Sequence, residues 1–435
     1  MIGFRAVRDY LLYGVAGIVG MISLAAGCGQ SDAGGGGQSD GGTPDLAPAL
    51  HHRGPARADV AAGFDGMHGK VAVFGGDDGP EVAATLRPHY HDDTWIYDLA
   101  SGDWSLSAAK GPSERGRTAF AMLPNGQLLV ALGRTRAANA PKNTSYTLLG
   151  DAWAYDVATD KWRMLSTQSM PPGRSAPVAV WDAAGARMVM FGGNLGTSAD
   201  VLAGFLPTDE TWQLKNTAMN GGAEMWVWSK VKTLGPTPPA RYLAAGALDE
   251  RRNRLIVASG CCDNMGGFMS DAWALDLGTN TWSQLGGNGD GPSNRLGAMA
   301  AYDRAGDRVI LFGGHDDGSL GNVNDTWALS LAGPPAWQSL AMGDAEDNTV
   351  LGCGGNKTEQ PFNFTKPDLL SPERRERAML LSIGAPGVLL FGGEGDCAQL
   401  DDTWSYLGAT WTPRIKAAQG DSCLRRGEQC ACLCN

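Results

Sequence analysis

The 435-residue chain holds 62 Gly, 14 Trp and 9 Cys, is 43% hydrophobic and 19% charged, and has a formal net charge of -11. Few charges and ample apolar residues exclude a disordered acidic chain and a coiled coil. The acidic balance, with a pI near 5.0, opposes steering toward phosphate backbones, so no nucleic-acid partner is expected.

In chain order, Arg5 and Arg8 precede an uncharged stretch from Tyr10 to Ala26, and Leu24-Ala25-Ala26-Gly27-Cys28 follows. Positive charge, then an apolar run, then small residues is the pattern of a secretory signal, here residues 1–27. The ending resembles the bacterial lipobox. That resemblance implies lipidation of Cys28 and, with Gly29 rather than Asp next, an outer-membrane lipoprotein anchored through palmitate. Residues 28–45 are Gly-rich, with no aromatic and no large aliphatic, and read as a tether spanning roughly 20 to 25 Å.

From residue 46 to 416 one phrase returns six times: an Arg, an alternating strand, an apolar run ending in small residues, a loop, an acid-x-Trp and a second Trp. The apolar runs are Val71–Phe74, Leu128–Leu132, Met188–Phe191, Leu255–Val257, Val309–Phe312 and Val388–Phe391, ending at Gly75-Gly76, Gly133-Arg134, Gly192-Gly193, Ser259-Gly260, Gly313-Gly314 and Gly392-Gly393. A four-residue apolar run is too short for a helix and suits a strand buried on both faces. Each repeat therefore reads as four short antiparallel strands. One such sheet cannot bury two faces alone, so radial stacking into a propeller is expected, an all-β fold.

The repeated phrase resembles the kelch repeat, which implies a six-bladed kelch-type β-propeller over residues 46–416. No strand shared between the first and last repeats is evident. With strands A to D counted from axis to rim, the D-to-A and B-to-C connections share one face. The B-to-C segments are longer in the first three repeats, with 20 residues from the first Gly position to the first Trp against 12 to 14 in the others, and residues 341–371 add an insertion on that face. Function is expected there.

Arg57, Arg117, Arg174, Arg241, Arg295 and Arg377 stand before strand A, 18 residues from the first Gly position in four repeats, 16 in the second and 15 in the sixth. In a eukaryotic kelch adaptor that the pattern resembles, arginines at this position bind the carboxylates of acidic peptides. The expectation is an Arg-lined mouth for an acidic glycan or protein, joined by Asp77, His315, Asp317 and Glu394 just after the glycines. The competing reading gives these arginines a role in holding loops, through five donors in a fixed fork. His89, His91, Asp92 and Asp93 show no partner cluster in the sequence, so neither a metal nor a cofactor is expected.

Besides Cys28, the even set Cys261, Cys262, Cys353, Cys397, Cys423, Cys430, Cys432 and Cys434 favours disulfides in an exported chain, with pairing open, and residues 417–435 form a Cys-rich tail. With no recognisable nucleophile, a non-catalytic recognition module is the first reading. The second resembles sialate mutarotases, six-bladed kelch enzymes, with Glu394 or Asp317 as proton-transfer groups. The third resembles galactose oxidase, a copper oxidase, and the few histidines match it poorly.

Overall fold

The computed structural model describes residues 52–418 except 80, 83–84, 87, 139, 142–143, 199–203, 218–223, 263–266, 287–290, 317–320, 347–364, 367, 386 and 396–397. Cys28, the rest of the predicted tether and residues 419–435 of the predicted Cys-rich tail therefore lie outside the described residues. Among those described, the chain makes six consecutive four-stranded antiparallel units, each from one continuous stretch of sequence. From axis to rim the first is Ala61–Asp65, Lys70–Phe74, Thr94–Asp98 and Asp103–Leu106. The sixth is Met379–Ser382, Val388–Phe391, Thr403–Leu407 and Thr410–Ile415. This is a β-propeller, and its units are its blades.

The predicted apolar runs are the second strands, buried along almost their whole length because a blade lies on either side. In the fourth and fifth blades the middle strands continue past the small-residue pair as longer arms, Arg254–Cys261 with Phe268–Asp276 and Arg308–Asp316 with Asn322–Ser330. The register shifts at Ala258/Gly260 and Phe312/Gly314, so the small pair marks a bulge where the arm leaves the sheet. Arg295–Leu296 pairs with both arms and joins the two blades into one continuous sheet.

The core is divided into six inter-blade clusters. Tyr155 and Phe74 meet between the first and second blades, Trp228 and Leu129 between the second and third, and Trp282 and Phe191 between the third and fourth. Ile256 and Leu311 pack between the fourth and fifth, and Phe312 and Trp411 between the fifth and sixth. The last cluster, with Trp104 against Phe391 at a ring-centroid distance of 4.2 Å, joins the sixth to the first.

The seal that the sequence left open lies at the axis. The N–H of Asp59 donates to the carbonyl of Arg377, Arg117 to Asp59, Ala176 to Arg117, Leu243 to Ala176, Gly297 to Leu243 and Arg377 to Gly297, at 2.7 to 3.2 Å. These six bonds close on themselves, one from each blade to the one before it. All six donors have φ between 51° and 64°, a left-handed turn that swings the chain from the rim connection into the innermost strand. The ring thus closes without any shared strand, by packing and by an axial hydrogen-bonded circle.

Candidate functional site

The repeated arginine has a different place from the one expected. Arg57, Arg174, Arg241 and Arg295 are at most 6% exposed, inside the wall of the propeller. Each donates to the carboxylate of its blade's acid-x-Trp motif, respectively Asp93, Glu210, Asp271 and Asp325. Each also donates to the carbonyl at the first small position, 18 residues on, at 3.0 to 3.2 Å. The same carboxylates accept the indole N–H two residues later at 2.6 to 3.0 Å, from Trp95, Trp212, Trp273 and Trp327. The repeated Arg, acid and Trp are one hydrogen-bonded unit per blade, and an Arg whose fork is filled inside the wall does not line the mouth.

In the second and sixth blades this structural place belongs to Arg115 and Arg375, which bond Asp151 and Asp402 and reach the carbonyls of Leu132 and Gly392 at a separation of 17 residues. Leu132-Gly133, not Gly133-Arg134, is the second blade's small pair: Leu132 has φ 61° and Gly133 φ 93°, matching Gly75 at 67° and Gly76 at 90°. Arg117 and Arg377 are therefore shifted by two residues. They are members of the axial circle.

That shift creates the site. Asp59 accepts from Arg117 Nε at 2.8 Å and lies 3.2 Å from Arg377 Nη1, across the seam between the last blade and the first two. Arg377 also pairs with Glu394 and lies 3.4 Å from Glu376. Burial alone would push the Asp59 carboxyl up, but Arg117, Arg377 and Arg134 outweigh it and hold the group below the usual carboxylate range. Arg134 donates from Nε to the Tyr90 hydroxyl at 2.8 Å, and its guanidinium lies 3.9 Å from the Tyr146 ring centroid. Burial lifts the Tyr90 hydroxyl to about 12, so it stays protonated. The terminal nitrogens of Arg117 and Arg134 have no hydrogen bond or ion pair among the described residues.

Asp77 is buried beside this cluster and accepts from the N–H groups of Gly79 and His89 at 2.9 and 2.7 Å. Burial pushes its carboxyl up, and Asp59 adds to the effect. Its geometry is that of a loop clamp. Glu394 serves Arg377, as above. His315 belongs to the arm of the fifth blade, with its Nδ1 3.3 Å from the Asn322 side-chain oxygen. Asp317 lies outside the described residues.

The circle's other half is apolar: Ala176, Leu243 and Gly297 stand where Asp59, Arg117 and Arg377 stand opposite. Around them pack Tyr242, Cys261, Cys262, Phe268 and Leu296, and Phe205 lies 5.7 Å from Tyr242 between ring centroids. The sulfurs of the adjacent Cys261 and Cys262 meet here, with Cα atoms 3.1 Å apart. Cys353, Cys397, Cys423, Cys430, Cys432 and Cys434 lie outside the described residues. The axial mouth is thus half ionic and half apolar. Sequence reasoning passed over Asp59, Tyr90 and Tyr146. It met Arg134 only as a departure from the glycine pattern, and that departure was the usable signal.

A family model described as the KLHDC2/KLHL20/DRC7 Kelch-repeats domain matches residues 45–224 and 219–346, more than half of the chain. Host cell factor 1 of Homo sapiens is 22% identical over 308 residues, 66% of this chain and 14% of that protein. Acyl-CoA-binding domain-containing protein 4 of Arabidopsis thaliana is 24% identical over 283 residues, 62% of this chain and 36% of its own length. The chain thus spans only a minor part of these relatives. Among solved structures, that of YjhT has a TM-score of 0.48 at 16% identity, covering 65% of this chain and 84% of that one.

Proposed function

Because the chain belongs to the KLHDC2/KLHL20/DRC7 Kelch-repeats domain family, we propose that its propeller is a recognition module that takes an acidic segment of a protein ligand at the axial mouth. One observation carries the reading: two guanidinium groups, Arg117 and Arg134, sit in the ionic arc with their terminal nitrogens unpartnered among the described residues. A carboxylate fits such donors, because paired N–H groups match its two oxygens. Tyr146 backs Arg134, and the apolar arc of Tyr242, Phe268 and the cysteine pair offers a surface for an apolar group beside the acid. We also propose export and lipid anchoring at Cys28, on the strength of Leu24 to Cys28.

The test is a screen of the folded domain against acidic peptides, with neutral amide counterparts and acidic glycans as alternatives. Arg134→Gln is expected to weaken the selected peptide at least tenfold per folded molecule, over and above any loss of melting temperature from removing the partner of the buried Tyr90 hydroxyl. Arg295→Ala is expected to do the reverse, lowering the melting temperature and leaving affinity per folded molecule intact. Equal binding of acid and amide peptides would reject the mouth as a carboxylate site.

A further inference from the structure

The first blade's B-to-C loop brings together two histidines and an aspartate that the sequence leaves apart. His89 and His91 flank Tyr90, which is 1% exposed and points into the molecule. In an extended limb, alternate side chains share a face, so His89 and His91 project together on the opposite side. The outgoing limb supplies Asp78. His89 Nδ1 lies 2.6 Å from one Asp78 oxygen, His91 Nε2 lies 2.8 Å from the other, and the two rings are 4.4 Å apart between centroids.

The register that makes this meeting is fixed from below. Asp78 N–H donates to the His89 carbonyl at 3.2 Å, His91 N–H to Gly76 at 3.1 Å, and Arg115 N–H to His91 at 3.1 Å. Buried Asp77 clamps both limbs through Gly79 and His89. The chelating side chains therefore stand on a braced hairpin, and their backbone cost of ordering is met by the fold.

We propose that Asp78, His89 and His91 form a binding site for a divalent transition metal of the zinc class. All three ligand atoms lie within 4.8 Å of one another. Two imidazole nitrogens and one carboxylate oxygen are a zinc donor set, with bonds of about 2.0 to 2.2 Å. Admitting the ion requires the donors to spread to roughly 3.3 Å, the edge of a tetrahedron with such bonds. That is a rotation of the exposed Asp78 and His89 side chains against the half-buried His91 and not a rearrangement of backbone. Three protein donors leave at least one coordination position to water. A rival account is a carboxylate that simply accepts from two ring N–H groups, with no affinity for metal.

Cobalt titration of the chelator-stripped full chain separates the two accounts. An N and O site gives visible d–d bands without thiolate charge transfer, so the cysteines are read separately in the near ultraviolet. The expected result is one equivalent of cobalt with d–d bands, displaced by zinc. His89→Gln with His91→Gln is expected to abolish these bands, and Asp78→Asn to weaken binding at least tenfold. His68→Gln, which alters a histidine paired with Asp65 elsewhere, is expected to change nothing. The proposal is overturned if wild-type shows only thiolate bands, or no bands, or if the double variant titrates as wild-type does. Melting curves of each variant verify that the fold persists.

Discussion

Ser259 holds the place that glycine occupies in four of the six blades, at φ 58° against 62° to 73° for Gly75, Gly192, Gly313 and Gly392. Its hydroxyl is buried and has no hydrogen-bond partner among the described residues. A non-glycine residue in this conformation costs about 1 to 2 kcal/mol, and an orphaned buried hydroxyl adds about 1 kcal/mol or more. Glycine's extra freedom in the unfolded chain returns only about 0.5 to 1 kcal/mol of that. Ser259→Gly is therefore expected to stabilise the protein by about 1 kcal/mol, seen as a higher denaturant midpoint. The second exception behaves differently. Leu132 is fully buried in the cluster between the second and third blades, with Leu129 and Met188, so its side chain offsets the backbone strain that glycine would relieve.

At the scale of the blade, the Arg, acid and Trp unit ties the innermost turn to the third strand. The third blade uses Glu210 in place of Asp, and there the unit can be titrated. Burial pushes the Glu210 carboxyl up, but hydrogen bonds from Lys230, Arg174 and Trp212 prevail and bring it to about 2 from the usual 4.5. A carboxyl with a lowered folded value stabilises above its unfolded value and loses that contribution as pH falls. Melting temperature should thus decline from pH 4.5 toward 2 more steeply in wild-type than in Glu210→Gln, measured at constant ionic strength. Parallel slopes would count against the unit.

The strands of each blade were legible in the sequence because an apolar run and a Trp pair recur at every turn of the ring. The role of the arginine was less so. Its acid partner lies 36 residues away in the first three blades, 30 in the next two and 27 in the last, so loop length hides a constant contact. The second and sixth blades carry more than one Arg near the turn, Arg115 with Arg117 and Arg374, Arg375 and Arg377, and spacings of 16 and 15 against 18 marked the wrong choice. The axial circle has no residue type common to its six positions. Asp59, Arg117, Ala176, Leu243, Gly297 and Arg377 share a backbone conformation, and a period search on side chains does not find it.

For the whole molecule, stability resides between blades and not within them. Each of the six apolar clusters takes side chains from two neighbours, and the circle of six axial bonds runs through all of them. A chain divided between the third and fourth blades exposes two such clusters, around Trp282 and around Trp104. Each half alone is expected to lack a cooperative melt, whereas the intact protein melts in one transition. Two halves that each unfold sharply by themselves would contradict this.

The seam joining the last blade to the first also sets where the chain enters and leaves the propeller. His52 N–H donates to Asp103 at 3.1 Å, beside the outermost strand of the first blade. Arg53 touches the carbonyl of Lys416 and lies 3.5 Å from Asp401. Entry and exit are neighbours on one edge of the disc, so a few residues would suffice to splice them into an endless loop. Cargo fused before residue 52 or after residue 418 leaves from that same edge, and neither fusion has to pass over the axial opening.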